Sequence, residues 1–206
     1  MFIFFVSLHQ KNKKMSTLSK SQIKREALLK ATIDLVNNDG FHAAPMSKIA
    51  KIAGVSPGTI YLYFENKQDL INQVYIDVKA AFTQFAFKDY EAHFEVEKGF
   101  ENIWMNIAEF KLKKVDKALF LSQCDNTPMV DEASRKEGLK HLRPLLELWE
   151  RGQQEGIIKQ VSPYMLYAFT VYPIAFLMNM QQQKIYKLTA TNINDAYEMA
   201  WNSIKI

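Results

Sequence analysis

The segment 46–67 (MSKIAKIAGVSPGTIYLYFENK) contains the side chains best suited to contact another molecule. Hydroxyl, aromatic and small residues follow one another at its centre and would line the outer side and leading end of a short helix: Pro57, Gly58, Thr59, Tyr61, Leu62 and Tyr63. Hydroxyl groups donate hydrogen bonds to phosphate or base oxygens, and small residues allow the backbone to approach closely. These residue types, presented from one helix, are typical of a surface that enters the major groove of DNA.

Two short helices would have to position this surface. The pattern predicts helices over 46–53 and 57–64, whose inward-facing residues are Ile49, Ala50, Ala53, Ile60 and Phe64. Between them, Gly54 can adopt the left-handed conformation that ends a helix, and Ser56 can cap the second helix. Two helices joined by a three-residue turn that contains glycine predict a helix-turn-helix. The alternative is an ordinary helical hairpin with no role in binding nucleic acid.

Apolar residues recur at helical spacing through the rest of the chain. The pattern predicts further helices over 21–37, from 67 to about 88, and over 97–113, 115–124, 130–155, 162–183 and 192–205. With only 7 Gly and 6 Pro, the 206 residues have too few turns for a sandwich or barrel, and no alternation typical of strands persists. The fold class predicted from the sequence is therefore all-α.

Residues that could carry other chemistry are few. The single cysteine, Cys124, cannot form an internal disulfide and excludes cysteine-based zinc frameworks, and His93 and His141 offer no metal-ligand spacing. The sequence has neither a glycine-rich phosphate loop nor an H-E-x-x-H motif. We therefore predict no catalytic residues, no metal and no cofactor, and we do not expect an enzyme. The net charge of +4 permits an anionic partner, and one cysteine fits a reducing cytoplasm.

Two apolar stretches raise the question of a membrane. Residues 1–10 (MFIFFVSLHQ) precede a cluster of lysines, the reverse of a secretory signal, so we predict that translation starts at Met15 and that 1–14 is a disordered or non-native extension. The second stretch, 164–178 (YMLYAFTVYPIAFLM), has 15 residues, whereas a membrane span needs about 20. We predict a helix that begins after Ser162, does not enter a membrane, and is partly covered by a partner subunit.

Across 27–70 the sequence resembles the N-terminal DNA-binding domain of TetR-family transcriptional repressors. The residues that carry the resemblance are Leu28, Ala31 and Leu35, Gly40-Phe41, Ile49-Ala50, Ala53-Gly54-Val55-Ser56, Thr59-Ile60-Tyr61-x-Tyr63-Phe64 and Asn66-Lys67-x-x-Leu70. The resemblance implies a helix-turn-helix domain over 15–66 and a helical ligand-binding and dimerisation domain over 67–206. One departure is Ala44-Pro45, where such repressors usually have Thr followed by Thr or Ser, so the helix that follows loses a hydroxyl cap.

The resemblance also implies how the chain would bind double-stranded DNA. Residues near base edges would be Ser56, Pro57, Gly58 and Leu62, residues touching phosphate or bases would be Thr59, Tyr61 and Tyr63, and further phosphate contacts would be Lys48 and Lys67. The expected function is a ligand-responsive repressor that binds a palindromic operator as a homodimer and is released by a small molecule. The alternative is an architectural or sequence-tolerant DNA-binding protein without a ligand.

The C-terminal part is expected to form the dimer and to bind the ligand. By position, the resemblance implies a four-helix seam between two subunits, with the candidates Tyr167, Val171, Ile174, Met178, Tyr197 and Trp201. Aromatic residues that could line an apolar ligand pocket are Phe82, Phe85, Trp104, Phe120, Trp149 and Tyr172. The ligand would itself be apolar. For each of these aromatic residues, ordinary core packing is the alternative to a place in the pocket.

Overall fold

Helices make up almost the whole architecture. The computed structural model describes residues 19–206, and within them the chain forms ten α-helices: α1 (Lys20–Asp39), α2 (Met46–Ile52), α3 (Lys67–Ala86), α4 (Val96–Lys113), α5 (Val115–Asn126), α6 (Glu132–Lys140), α7 (Arg143–Gln154), α8 (Pro163–Thr170), α9 (Tyr172–Gln182) and α10 (Ala190–Ile204). The only pairing of the strand type in this part of the chain is an isolated antiparallel bridge between Ile158 and Lys205. The all-α prediction is confirmed, and the prediction for 1–14 lies outside the described residues.

Two long predicted helices are each divided in two. The segment 130–155 forms α6 and α7, and 162–183 forms α8 and α9. Pro144 is the second residue of α7 and Pro173 the second residue of α9. Proline has no backbone N–H and its ring clashes with the carbonyl group four residues earlier, so a continuous helix would be broken at each of these positions. The predicted cap of α8 is confirmed, because the Ser162 side chain accepts a hydrogen bond from the backbone N–H of Met165.

The predicted helix over 57–64 is also shorter than expected. It consists of a turn followed by a single 3-10 helix, Ile60–Leu62. Its backbone bonds are mainly of the tighter i→i+3 kind, as between the N–H of Leu62 and the carbonyl of Thr59, 3.1 Å apart. Gly58 has a low helix propensity, which favours a compact turn rather than the first turn of a regular α-helix.

The N-terminal helices pack around one small core. Ile49, Ala50, Ile60 and Phe64 are buried as predicted, whereas Ala53 is half-buried. Leu28 and Val36 of α1, together with Leu70 of α3, complete this core. The turn surface over 56–63 is therefore held in place by buried residues on three helices that precede and follow it.

Helix α3 connects this N-terminal unit with the rest of the chain. Near its middle, Asp77 forms an ion pair of 2.8 Å with Arg25 of α1. At the other end of α1, the side chain of Asn37 donates to the main-chain carbonyl of Asp116 at 2.8 Å. Helix α3 also packs against α4, α5 and α6. A displacement of α3 would therefore change its contacts both with α1 and with the C-terminal helices.

The remaining helices close the C-terminal core. The indole N–H of Trp104 in α4 donates to the carbonyl of Thr170 at the end of α8, 2.9 Å away. The rings of Phe100 and Trp201 lie 5.6 Å apart and join α4 to α10. Among residues 19–206, none of the helices combines the length and the apolar character that crossing a bilayer requires.

Candidate nucleic-acid interface and ligand cavity

The turn between α2 and the 3-10 helix is fixed by its own backbone. Gly54 has φ +70°, the left-handed conformation that the sequence predicted. The N–H of Gly54 donates to the carbonyl of Lys51 at 3.2 Å and the N–H of Val55 to that of Ala50 at 3.0 Å, which is the hydrogen-bond pattern of a Schellman motif. At the other end of α2, Pro45 provides no side-chain cap, as the departure from the family pattern predicted.

The surface that follows the turn exposes large side chains that do not pack against the rest of the fold. Leu62 is 82% exposed and Tyr61 57% exposed, whereas the preceding residue, Ile60, is fully buried. A methyl group added at Gly58 would meet no atom within 4 Å, and the φ of Gly58 lies outside the left-handed region. Neither packing nor backbone conformation therefore requires glycine at this position. An apolar side chain, an aromatic side chain and an uncovered backbone together form a surface that can approach a DNA groove.

Hydroxyl groups frame this surface. The Ser56 and Thr59 hydroxyls lie 2.7 Å apart, and the Ser56 oxygen also accepts from the backbone N–H of Thr59 at 3.3 Å. The hydroxyl of Tyr63 accepts a hydrogen bond of 3.2 Å from Ser21. One proton of the Ser56–Thr59 pair is used in the bond between them, and the other can still be donated outward. The Tyr63 hydroxyl accepts from Ser21, so its own proton also remains available. The site can thus offer two hydroxyl donors to phosphate oxygens.

The two predicted phosphate-binding lysines differ in how they are placed. Lys48 forms an exposed ion pair of 2.7 Å with Asp39, which a phosphate could replace at little cost. Lys67 instead donates to the main-chain carbonyl of Phe41, and its Nζ lies 4.3 Å from the centre of the Phe41 ring. Burial lowers the pKa of Lys67. Its ammonium therefore ties the start of α3 to the segment that follows α1, and the expected contact of Lys67 with phosphate stays a prediction.

A cavity of about 580 Å³ lies between α3 and α5–α9. Its lining residues are Lys79, Asp125, Leu139, Leu142, Leu145, Leu146, Trp149, Pro163, Tyr164, Tyr167 and Tyr172. This volume falls within the range of about 300–1,000 Å³ that is usual for small-molecule sites. The wall is mainly apolar, and the charged groups on it are one lysine and one carboxylate.

The predicted pocket residues are divided between this cavity and the core. Trp149 and Tyr172 line the cavity, as expected. Phe82 and Phe85 pack instead edge-on against Phe110, with ring centroids 5.2 and 5.8 Å away. Trp104 and Phe120 are buried in the core away from the lining. Periodicity alone missed Lys79, although a single lysine in the buried stripe of α3 was a signal that could have found it.

Comparison with known proteins places this architecture in a family. The family described as "Tetracyclin repressor-like, C-terminal domain" matches residues 96–205, and "Bacterial regulatory proteins, tetR family" matches residues 28–74. The first match alone covers more than half of the chain. This chain belongs to the TetR family of transcriptional regulators. It is thus a DNA-binding regulator of transcription whose helix-turn-helix is the segment described above.

Similar proteins extend over nearly the whole TetR-family chain. An uncharacterised HTH-type transcriptional regulator from Haemophilus influenzae is 24% identical over 184 residues, which cover 87% of this chain and 95% of the relative. The crystal structure of a TetR family transcription regulator from Marinobacter aquaeolei superposes with a TM-score of 0.83 at 27% identity, covering 89% of this chain and 96% of the other. FadR from Bacillus subtilis, solved in complex with stearoyl-CoA, has the same fold, with a TM-score of 0.69 at 19% identity over 87% of this chain and 98% of FadR.

The residues predicted for a dimer seam of this TetR-family regulator lie mostly inside the subunit. Five of the six are buried within their own protomer: Val171, Ile174, Met178, Tyr197 and Trp201. They have almost no surface left for a partner, and only Tyr167, which lines the cavity, is half-buried. This corrects the expected seam. The same helices leave other large apolar side chains exposed, among them Met165 and Phe169 of α8, Phe176 of α9 and Met199 of α10.

Proposed function

We propose that this regulator binds a near-palindromic operator as a homodimer and that a small molecule in the cavity controls that binding. The observation that carries the DNA assignment is the exposed surface of Tyr61 and Leu62 beside the uncovered backbone of Gly58. Two such surfaces related by a twofold axis would enter major grooves one helical turn apart or a multiple of it. Because DNA is the partner, we place the protein in the cytoplasm.

The roles on DNA follow from what each group can reach. Leu62 and the backbone at Pro57 and Gly58 would approach base edges, and Tyr61 would contact a base or phosphate. One hydroxyl of the Ser56–Thr59 pair and the hydroxyl of Tyr63 would donate to phosphates, and Lys48 would exchange its ion pair with Asp39 for a phosphate contact. Phosphate contacts of this kind position the protein, while the residues at base edges provide specificity.

Dimerisation would use the exposed apolar side chains of α8, α9 and α10. Phe176 is 61% exposed, and with Met165, Phe169 and Met199 it forms an apolar set that water would otherwise cover. The test is sedimentation of Phe176→Glu, which is expected to be a monomer with weak operator binding. Ile23→Glu is the matched control, because Ile23 is equally apolar and exposed but lies on α1. A Phe176→Glu dimer of normal stability would contradict this seam.

Helix α3 offers a path from the cavity to the DNA surface. Lys79 of α3 lines the cavity, and Lys67 at the start of the same helix holds the carbonyl of Phe41. Twelve residues separate the two lysines, which is about 18 Å along an α-helix. A ligand that binds better when α3 is displaced would shift the N-terminal unit through this helix and through the Arg25–Asp77 ion pair. The available coupling equals the difference in ligand affinity between the two states.

The proposed function is tested by a gel shift against DNA that flanks the gene, with excess competitor DNA and near-physiological salt. A discrete complex that survives competition and is weakened by Tyr61→Ala supports a sequence-specific regulator. Loss of all binding to the competitor favours the architectural alternative. FadR, which shares this fold, was solved with stearoyl-CoA. That complex supports testing small molecules for release of the discrete complex.

A further inference from the structure

Lys79 is an unusual group to find on the wall of an apolar cavity. The residue is only 5% exposed. Within residues 19–206, its ammonium has neither a hydrogen bond nor an ion pair, and its Nζ lies 5.5 Å from the centroid of the Phe82 ring. A buried ammonium without a hydrogen bond or an ion pair is destabilising, because burial removes its hydration. A group kept in this position is suited to a partner that arrives from the cavity.

The charges around Lys79 favour an anion as that partner. Asp125 is the acidic residue on the cavity wall, and its negative charge raises the pKa of both Lys79 and Lys111 against the effect of burial. Burial lowers the pKa of Lys111 to about 8, so this side chain is still largely charged at pH 7. Burial also raises the pKa of Tyr75 and of Cys124 to about 12 each, so neither adds negative charge. Burial lowers the pKa of Lys79 as well, and Asp125 opposes that shift in both lysines, so an anion placed beside Lys79 in the cavity would further stabilise its ammonium form.

A further donor at the cavity lacks an acceptor. Trp149 lines the cavity, and its indole N–H is buried with no hydrogen-bond partner among the described residues. Arg135 adds positive charge near Tyr75 and Cys124. Its guanidinium already donates to the carbonyls of Cys124, Thr127 and Val130. The unsatisfied groups of this region are therefore donors, and a carboxylate or a phosphate is composed only of acceptors.

The remaining wall defines the other part of the ligand. Four leucines, Leu139, Leu142, Leu145 and Leu146, line the cavity together with the rings of tyrosine and tryptophan. Such a surface binds an aliphatic chain through burial of apolar area. We propose that the ligand of this cavity is an amphipathic anion, with its acidic group at Lys79 and its aliphatic chain along these leucines. This inference rests on the proposed role of the cavity as the ligand site.

Calorimetric titration of the full chain in the absence of DNA tests the inference with three probes of equal chain length. These are dodecanoate, dodecan-1-ol and dodecyltrimethylammonium, each used below its micelle concentration. Dodecanoate is expected to bind at least on the order of tenfold more tightly than the other two, because a charge-assisted hydrogen bond contributes about that factor. Equal affinity for the alcohol, tighter binding of the cation, or no binding of any probe would overturn the inference.

Lys79→Met should remove the preference for dodecanoate over dodecanol while keeping affinity for the aliphatic chain. Methionine has a similar length and removes a buried charge, so the melting temperature should not fall below that of the wild type. Lys98→Met is the matched control, because Lys98 is exposed on α4 with its Nζ 5.4 Å from the ring of Phe94. A preference that survives in Lys79→Met would overturn the assignment of the acidic group to Lys79.

A second measurement separates this inference from the proposed function. Dodecyl phosphate and dodecanoate both carry a negative charge on a twelve-carbon chain but differ in the head group, so comparing their affinities distinguishes a phosphate ligand from a carboxylate ligand. Each probe is then added to the complex of protein and operator. Tight binding that depends on Lys79 without release of DNA would leave the inference standing and would contradict control of DNA binding by this cavity.

Discussion

Replacing Gly58 by alanine should weaken DNA binding without weakening the fold. The added methyl group would meet no atom within 4 Å, and the φ of Gly58 is outside the left-handed region, so alanine introduces neither a clash nor backbone strain. A substitution of this kind usually stabilises a protein by about 0.4–1 kcal/mol, because it restricts the unfolded chain. We therefore expect the free energy of unfolding of Gly58→Ala to be unchanged or slightly raised.

On DNA, the same methyl group would occupy the space that the backbone at Gly58 uses to approach the groove. If it displaces one hydrogen-bonded contact in each half-site, the loss is about 1–1.5 kcal/mol per subunit. A dimer has two half-sites, so the operator affinity should fall by about 2–3 kcal/mol, or roughly 30–150-fold. Stability and affinity would then change in opposite directions, which a general loss of structure cannot produce.

Thermal unfolding and competition gel shifts on the same preparations provide the two readouts. Gly54→Ala is the contrasting variant, because a methyl group there also meets no atom within 4 Å but the residue has φ +70°. The left-handed conformation costs alanine about 1–2 kcal/mol, so this variant should melt at a lower temperature. Wild-type operator affinity in Gly58→Ala, with unchanged melting, would refute the close approach of this backbone to DNA.

Three further predictions concern the core and the buried charges. Gly138→Ala should lower the unfolding free energy by about 1–3 kcal/mol, because its Cβ would lie 2.7 Å from the ring of the buried Tyr75; unchanged melting would show that the ring can move. Lys111→Met should stabilise the protein by about 1–3 kcal/mol at pH 7, since the side chain is partly buried. Its folded pKa of about 8 lies below the usual 10.5, so this gain should shrink as the pH rises from 8 to 10, and a constant gain across melts in that range would argue against a buried charge. Burial raises the pKa of Cys124 to about 12, so a disulfide reagent should label it only after unfolding; rapid labelling of the native protein would contradict this burial.

The helix-turn-helix could be predicted from the sequence because its signals are local. Gly54 adopts a conformation that its lack of a side chain permits, and Ser56 bonds a residue three positions later. The burial of Ile60 and Phe64 follows from their spacing of four residues. What the pattern did not predict is the 3-10 geometry over Ile60–Leu62, because Pro57 and Gly58 were assigned to a regular helix.

For the C-terminal helices, the sequence pattern predicts burial but not which surface provides it. Apolar spacing correctly indicated that Val171, Ile174 and Met178 are buried, but it could not distinguish burial against the same subunit from burial against a partner. The tertiary structure decides this, because it buries Val171, Ile174 and Met178 within their own subunit and leaves Phe176 exposed. The distinction depends on packing between helices that are distant in the sequence.

The sequence by itself determined the helical fold, the helix-turn-helix and its exposed residues, since each depends on interactions within a few positions of the chain. The tertiary structure decided which aromatic residues line a cavity and which fill the core. It alone brought Lys79 of α3 together with Asp125 of α5 and the leucines of α6 and α7. The role of a lysine in an apolar stripe cannot be assigned from sequence, because its chemistry depends on the charges and the space that other helices place around it.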